Sequence, residues 1–431
     1  MSNPPSAMMR VAAAVGGNAF EWYDFSIYAY MTPIISSVFF PVDPANPATQ
    51  INAVLATTAV FGVGFFMRPV GGVVLGVIGD KYGRRTGMVL GMTLMALATL
   101  IMTFAPSYQQ AGLFAPAIIV LSRLLQGFSL GGQFGTSTAF LIEMAPPRKS
   151  GIYGSWQMTG QVASLVIGTA FGVVLTQVYT QAELAAGLWR IPFAFGLAIV
   201  PVTWYIRRYL EETQAFVAMK KAPPSESIGR GLIGHTRHLL VSIGMIAASA
   251  VSFYAIYGYT VTYAKTVLHL PVNGAFLAEL VAACLMLVVI PAGGMLCDRF
   301  AGARKQMLVG FLAIYFVLMY PSFAWLAAEP TITKLVIVEL AISVISGLFL
   351  GVYCTTMSEL FPARIRSTGL SVANNVSVLI FGGFAQFFLT WIFKATGSPI
   401  APVYYVMFGI ALGLIGAVFM PAKAEDGRTA G

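Results

Sequence analysis

Gly76-Val-Ile-Gly-Asp80-Lys81-Tyr-Gly83-Arg84-Arg85 is a short charged cluster wedged between two long apolar runs, and the chain writes it twice. Roughly half a chain length later stands Gly294-Met-Leu-Cys-Asp298-Arg299-Phe-Ala-Gly302-Ala-Arg304-Lys305, with one extra residue before the last glycine. A second pair keeps nearly the same offset: Glu143-Met-Ala-Pro-Pro-Arg148-Lys149-Ser-Gly151 returns as Glu359-Leu-Phe-Pro-Ala-Arg364-Ile-Arg366-Ser-Thr-Gly369. The 431 residues therefore read as one unit written twice.

Working outward from these loops, the remainder is strongly apolar. Hydrophobic residues make up 58% of the chain, charged residues 10%, and mean hydropathy is +0.79. That balance belongs to a polytopic membrane protein rather than a water-soluble domain. The net charge of +9 does not indicate nucleic acid, because the basic residues are spread over many short loops instead of one stripe. Cys284, Cys297 and Cys354 lie in or beside apolar runs without CxxC spacing or nearby histidines, so no metal site or disulfide is expected. Glu21 and Asp24 would spoil the apolar core of a signal peptide, so the N-terminal run is read as the first span.

A membrane-crossing helix needs about 20 mostly apolar residues. Twelve such runs fall at 12–40, 51–79, 86–105, 112–142, 152–178, 190–209, 239–264, 273–297, 306–327, 333–358, 368–394 and 402–421. The expected fold is thus an all-α membrane protein of twelve transmembrane helices in two six-helix bundles. The first bundle is 1–209, the second 239–431, and the polar segment 210–238, with His235 and His238 on a solvated face, joins them. Of the 25 Lys and Arg, only Arg190, Lys265, Lys334 and Lys394 fall on one side of this layout, and Arg68 and Arg123 fall within spans. All the others share the opposite side, which the positive-inside rule makes cytoplasmic along with both termini.

Six plus six spans with a repeated loop is the layout of a secondary transporter with its site near the midplane. No lysine follows a glycine, so a GxxxxGK[ST] phosphate loop is absent and gradients, not ATP, are the expected drive. Neither a nucleophile–base pair nor a metal cluster suggests an enzyme, and no cofactor is expected. A receptor would need a signalling extension for which the termini and the 210–238 segment are too short.

The Gly76–Arg85 loop resembles the signature of the major facilitator superfamily. Gly17-Asn18-Ala-Phe-Glu21-Trp22-Tyr23-Asp24-Phe25, Phe66-Met67-Arg68-Pro69-Val70-Gly71-Gly72, Arg123-Leu-Leu-Gln126-Gly127-Phe-Ser-Leu-Gly131-Gly132 and Trp189-Arg190-Ile191-Pro192-Phe193 resemble its metabolite:proton symporters. That family includes citrate, 2-oxoglutarate, shikimate and proline/betaine carriers. The resemblance implies a monomeric carrier in a bacterial inner membrane, a proton and a small molecule as partners, and a cytoplasmic gate. In that gate Asp80, with Gly83, Arg84 and Arg85, would face the start of the eleventh helix near Thr368 and Gly369. Asp298, with Arg304, would do the same for the fifth near Gly151. The chain departs from the pattern at Gln133, where many members carry Glu. Only Ala422–Gly431 follow the last span, whereas the osmolyte carriers commonly have a long charged tail, so the resemblance favours the acids.

Charges inside spans are functional candidates because each costs about 2.5–3.5 kcal/mol at the bilayer centre. At about 100° per residue, Asn18, Glu21, Asp24, Phe25 and Tyr28 form one stripe on the first helix. Arg123, Gln126, Gln133 and Ser137 form another on the fourth, and Gln157, Gln161 and Ser164 a third on the fifth. The second half offers Tyr254, Tyr257, Asn374 and Asn375. Arg123 is the expected carboxylate anchor and Arg68 the second, since a guanidinium offers two parallel hydrogen bonds. Asn18, Tyr28, Gln126, Gln133, Gln157, Gln161, Tyr257, Asn374 and Asn375 complete the candidate substrate site. Glu21 and Asp24 are read either as a buried network paired with the two arginines or as proton carriers released from that pairing by an arriving anion. Glu279 and Glu339, near the outer ends of their spans, are read as solvated. The expected substrate is an organic acid of one to three carboxylates, the rival a zwitterionic osmolyte held by an arginine and an aromatic cage.

Overall fold

The computed structural model describes residues 7–42, 46–82, 84–209, 234–361 and 366–420. Twelve helical rods run through them. In the first half these are α1 (Ala7–Phe39), α2 (Pro47–Tyr82), α3 (Arg84–Thr103), α4 (Phe114–Leu130 continued by Gln133–Glu143), α5 (Ser150–Val178) and α6 (Leu184–Leu188, Arg190–Gly196 and Ile199–Tyr209). The second half has α7 (Thr236–Ala250, Val251–Tyr257 and Thr260–Thr266), α8 (Val272–Arg299), α9 (Arg304–Ala328) and α10 (Ile332–Glu359). It closes with α11 (Arg366–Val378, Leu379–Gly383 and Ala385–Thr396) and α12 (Ala401–Phe419). Nine described stretches are long and apolar enough to cross a membrane by length and composition alone, and Val89–Thr103 and Phe114–Leu130 are shorter apolar helices. Helices alone satisfy every backbone group within the segment, which is what hydrocarbon demands. The expected linker largely lies outside the described residues, and α7 begins at Thr236, which takes His238 into its first turn.

The packing is inverted relative to a soluble protein. Val73, Phe104, Val288, Val317 and Phe408 are exposed, while Arg68, Arg123, Asp24, Glu279 and Glu339 are buried. Helices are held together by close backbone approach and hydroxyl bonds, since lipid gives no hydrophobic drive between them. A Cβ on Gly127 would stand 1.6 Å from the carbonyl oxygen of Gly64, and one on Gly71 1.9 Å from that of Phe128, so α2 and α4 cross in backbone contact. Ser122 and Ser129 of α4 donate to the carbonyls of Ala98 and Gly91 on α3 at 2.8 and 2.7 Å.

Irregular helix appears where the bundles meet. Val251–Tyr257 of α7 and Leu379–Gly383 of α11 are π-helical, and Gly258 N–H donates to Phe253 O across five residues. The carbonyls this widening frees are taken up by Gln386 Nε2, which donates to Gly258 O at 2.9 Å and to Tyr254 O at 3.4 Å. π-Helical turns recur at functional sites because they re-aim side chains.

Contacts close the space between the bundles at both ends. At the end carrying the 299–305 loop, α5 crosses α8 so tightly that a Cβ on Gly151 would lie 2.4 Å from Gly294 O. Thr355 Oγ1 donates to Ser150 O at 2.9 Å and Asn375 Nδ2 to Gly131 O at 2.8 Å. At the opposite end Lys265 Nζ donates to Pro33 O at 2.6 Å and Lys394 Nζ to Asn52 Oδ1 at 2.8 Å.

Candidate functional site

Two buried arginines of the first bundle share one phenyl ring. The Arg68 and Arg123 guanidinium carbons lie 4.5 and 4.2 Å from the Phe25 ring centroid. Arg68 is also 4.2 Å from the Phe65 ring, and Arg123 is 4.8 Å from Phe61 and 4.9 Å from Tyr28. The aromatic faces shield two like charges in dry protein, each cation–π contact contributing about 0.5–2 kcal/mol. Arg123 Nη1 donates to Phe25 O at 2.9 Å and to Gln126 Oε1 at 2.5 Å. Arg68 Nη2 donates to Tyr254 Oη at 3.4 Å, a side-chain bond that reaches from this cluster into the second bundle. Arg68 Nε and Arg123 Nε and Nη2 have no hydrogen-bond partner among the described residues.

The expected pairing with acids is not formed. Among the described residues neither arginine makes an ion pair with Glu21 or Asp24. Asp24 is 1% exposed, points toward α3 and α6, and has no hydrogen-bond partner on either carboxylate oxygen. A Cβ on Gly196 would sit 1.9 Å from Asp24 Oδ1 and 3.1 Å from Thr99 Cγ2, which fixes that direction. The backbone carbonyl of Asp24 instead accepts from Gln126 Nε2 at 3.2 Å. The physical reason is angular: Asp24 and Phe25 are successive, so about 100° separates them around α1. Phe25 faces the arginines, and the carboxylate faces away.

The other expected residues divide. Asn18 and Gln157 bond one another, Gln157 Nε2 donating to Asn18 Oδ1 and Asn18 Nδ2 to the backbone O of Gln157, both at 3.3 Å, while Gln157 Oε1 has no described partner. Gln161 and Asn374 line a small cavity with Trp22, Ser249, Phe253 and Tyr353, and Gln161 Nε2 has no described partner. A neighbouring cavity is lined by Trp22, Ser26, Phe61, Phe253, Tyr254 and Gln386. Tyr28 lines neither; its ring lies parallel to that of Phe61 within 11°. Asn375 bridges α11 to α4 and lines neither of these two cavities. Tyr257 turns the other way, its hydroxyl 2.5 Å from Ser346 Oγ inside the second bundle, and Tyr254 takes the place expected of it. The Gln133 side chain lies outside the described residues.

Sequence reasoning passed over Phe61, Phe65, Trp22 and Gln386. Phe61, Phe65 and Arg68 follow i, i+4, i+7 spacing, so one face of α2 carries both rings and the charge; that pattern was available. Glu279 and Glu339 need a correction: both are fully buried, not solvated.

At the expected gate, Asp298 accepts from the N–H groups of Gly151 and Ile152 at 2.6 and 2.9 Å, where the positive end of the α5 dipole stands. Arg304 pairs with Glu359 and its Nε donates to Cys297 O at 3.4 Å. The side chains of Asp80, Arg84 and Arg85, and Gly83 altogether, lie outside the described residues.

The profile of the "Sugar (and other) transporter" family matches residues 9–227 and again 225–427. The chain belongs to that family. A citrate-proton symporter of Klebsiella pneumoniae is 33% identical over 414 residues, 96% of this chain and 91% of that protein. A proline/betaine transporter of Escherichia coli strain K12 is 34% identical over 426 residues, 96% of this chain and 83% of that protein. Among solved structures, a D-xylose-proton symporter superposes with a TM-score of 0.74 at 16% identity, over 96% of this chain and 97% of that one. This sugar (and other) transporter family member therefore has the major facilitator fold and is a multi-pass membrane transporter.

Proposed function

We propose that this transporter carries a small organic acid of two or three carboxylates together with protons, by alternating access across a bacterial inner membrane with both termini cytoplasmic. One observation carries the reading: Arg68 and Arg123 are buried against the same ring with no carboxylate among the described residues paired to them. Two uncompensated charges in a dry site call for an anion of matching charge. A monocarboxylate zwitterion brings one negative group and carries its own positive one. The named activity of the citrate-proton symporter agrees with the acid.

The second reading has its own observation. Trp22, Phe253 and Tyr254 line the cavities, with the Arg68 guanidinium carbon already 5.9 Å from the Trp22 ring centroid, and an aromatic cage suits a quaternary ammonium. Thermal unfolding of the purified protein separates the two. Citrate, tricarballylate or 2-oxoglutarate is expected to raise the melting temperature and betaine not, since a ligand stabilises the state it binds by about 2.7 kcal/mol at a hundredfold excess over Kd. Stabilisation by betaine and by none of the acids overturns the acid reading.

The gate follows from the same scheme. Asp298 holds two N–H groups of α5 only when α5 and α8 are crossed at that end. An aspartate oxygen on a backbone N–H contributes about 1.5–3 kcal/mol. In Asp298→Asn one of the two acceptors becomes an NH2 facing an N–H. The expected result is a transport rate altered about tenfold with substrate affinity within about twofold. Lost affinity at an unchanged rate would remove Asp298 from the gate.

A further inference from the structure

Two carboxylates that the anion site does not use face one another inside the second bundle. Glu279 and Glu339 are each the eighth residue of their helix, in α8 (Val272–Arg299) and α10 (Ile332–Glu359), which run parallel and pack together. At 1.5 Å per residue both sit about 10 Å below the helix start, so equal register brings them to one level. Both are 0% exposed, and each lies within the other's electrostatic reach. Both oxygens of Glu279 and Oε2 of Glu339 have no hydrogen-bond partner among the described residues.

Among the described residues no cation answers them. The titratable groups turned toward the pair are Tyr257 of α7 and Tyr315 of α9. Tyr257 is engaged with Ser346 of α10, and Tyr315 Oη lies 3.1 Å from Ser252 Oγ. Lys265 of α7 spends its ammonium on Pro33 O of α1, and Lys334 of α10 pairs with Glu329. The charges of α8 and α9 nearest in sequence, Asp298, Arg299 and Arg304, are at the far end of the bundle. From α5, Tyr153 is likewise at the far end, one turn into its helix.

Thr260 adds a constraint. Its Oγ1 is 2.8 Å from both Ile256 O and Glu339 Oε1, yet a hydroxyl has one hydrogen. Thr260 can share its hydrogen between the two acceptors, and both contacts become full hydrogen bonds when Thr260 donates to the carbonyl and Glu339, as the acid, donates to Thr260. Two carboxylates without a cation in dry protein do not both ionise.

We propose that Glu279 and Glu339 are a second proton-binding site, filled and emptied during transport and linked to the anion site through α7. This rests on the proton-coupled reading above. The link is the π-helical segment Val251–Tyr257: Tyr254 reaches Arg68 across the bundles, and Tyr257, three residues on, reaches Ser343 and Ser346 on the helix of Glu339. An anion that draws Arg68 away from Tyr254 relieves one end of the segment and shifts the groups that shelter the pair at the other.

Infrared spectra of the purified full-length protein test the site without a substrate, through the carbonyl stretch of an un-ionised carboxylic acid. At neutral pH the double variant Glu279→Gln with Glu339→Gln is expected to lose an acid band that Asp24→Asn retains. Each single variant is read beside it as a check on folding, with the band shifted because its neighbour is now an amide. In proteoliposomes the double variant should lose about tenfold or more of pH-gradient-driven citrate accumulation. An unchanged acid band in the double variant overturns the proposal. So does wild-type accumulation by that variant, or wild-type protein that follows a sodium gradient at equal pH. A band lost as expected in a protein that no carboxylate stabilises would instead sink the acid reading and leave the proton pair standing.

Discussion

Arg123→Ala abolishes saturable binding of the substrate anion, and Arg123→Lys does not restore it. Arg123 has Nε and Nη2 free while Nη1 is held by Phe25 O and Gln126, so the planar fork is already oriented with two donors to offer. Truncating one partner of a buried charged pair costs about 2–5 kcal/mol, which at about 1.4 kcal/mol per decade is a loss of thirtyfold to several thousandfold in affinity. Lysine brings the charge back without the fork, and its compact ammonium cannot lie flat against Phe25, Tyr28 and Phe61 as the guanidinium does. Calorimetric titration with citrate checks this. An Ala variant that binds within about threefold of wild type would show that the anion is held elsewhere.

Arg68→Ala separates the acid from the osmolyte. A tricarboxylate needs both arginines, whereas a single carboxylate is answered by Arg123 alone, so the loss at Arg68 grows with substrate charge. The same comparison tests whether Tyr254, which Arg68 contacts at 3.4 Å, reports the anion to the second bundle.

How much of this was legible in the sequence depends on what a helix face can tell. The twelve rods were readable because hydrocarbon imposes a length on each apolar run, and the repeated loop divided them six and six. Arg68 and Arg123 were readable as charges with no business in a membrane. Direction was not: the stripe from Asn18 to Tyr28 is one face by angle, but two neighbours meet it, and Asp24 turns to α3 and α6 while Phe25 turns to the arginines. Glu279 and Glu339 were discounted because they lie near span ends. Depth along one helix does not show that an equal depth on a parallel helix places a second carboxylate beside the first. The π-helical turns of α7 and α11 were illegible for a related reason: Tyr254 and Tyr257 share a pattern that favours both as cleft residues, and only the widened turn sends them opposite ways.

Asp24→Asn is expected to weaken the link between transport and its driving force. The carboxylate is buried with no cation paired to it among the described residues, and the Thr99 hydroxyl beside it is given to Met95 O, so its charged form has little to stabilise it there. Asparagine copies the neutral, proton-loaded form in shape and hydrogen-bonding capacity and cannot release the proton. If loading Asp24 accompanies substrate binding, wild-type uptake falls as pH rises and the proton becomes scarce, while in the Asn variant that position stays permanently loaded and the fall becomes shallower. Exchange of labelled for unlabelled citrate should persist, and accumulation driven by a pH gradient should fall by about tenfold or more while staying above simple equilibration. Glu279 and Glu339 make the comparison quantitative: with a second proton site present, Asp24→Asn lowers the number of protons carried per anion without reducing it to zero, and only the combination with Glu279→Gln and Glu339→Gln removes coupling altogether. Proton uptake measured beside citrate uptake in the same vesicles gives that ratio. An Asp24→Asn protein with wild-type pH dependence and wild-type ratio would place proton coupling outside α1.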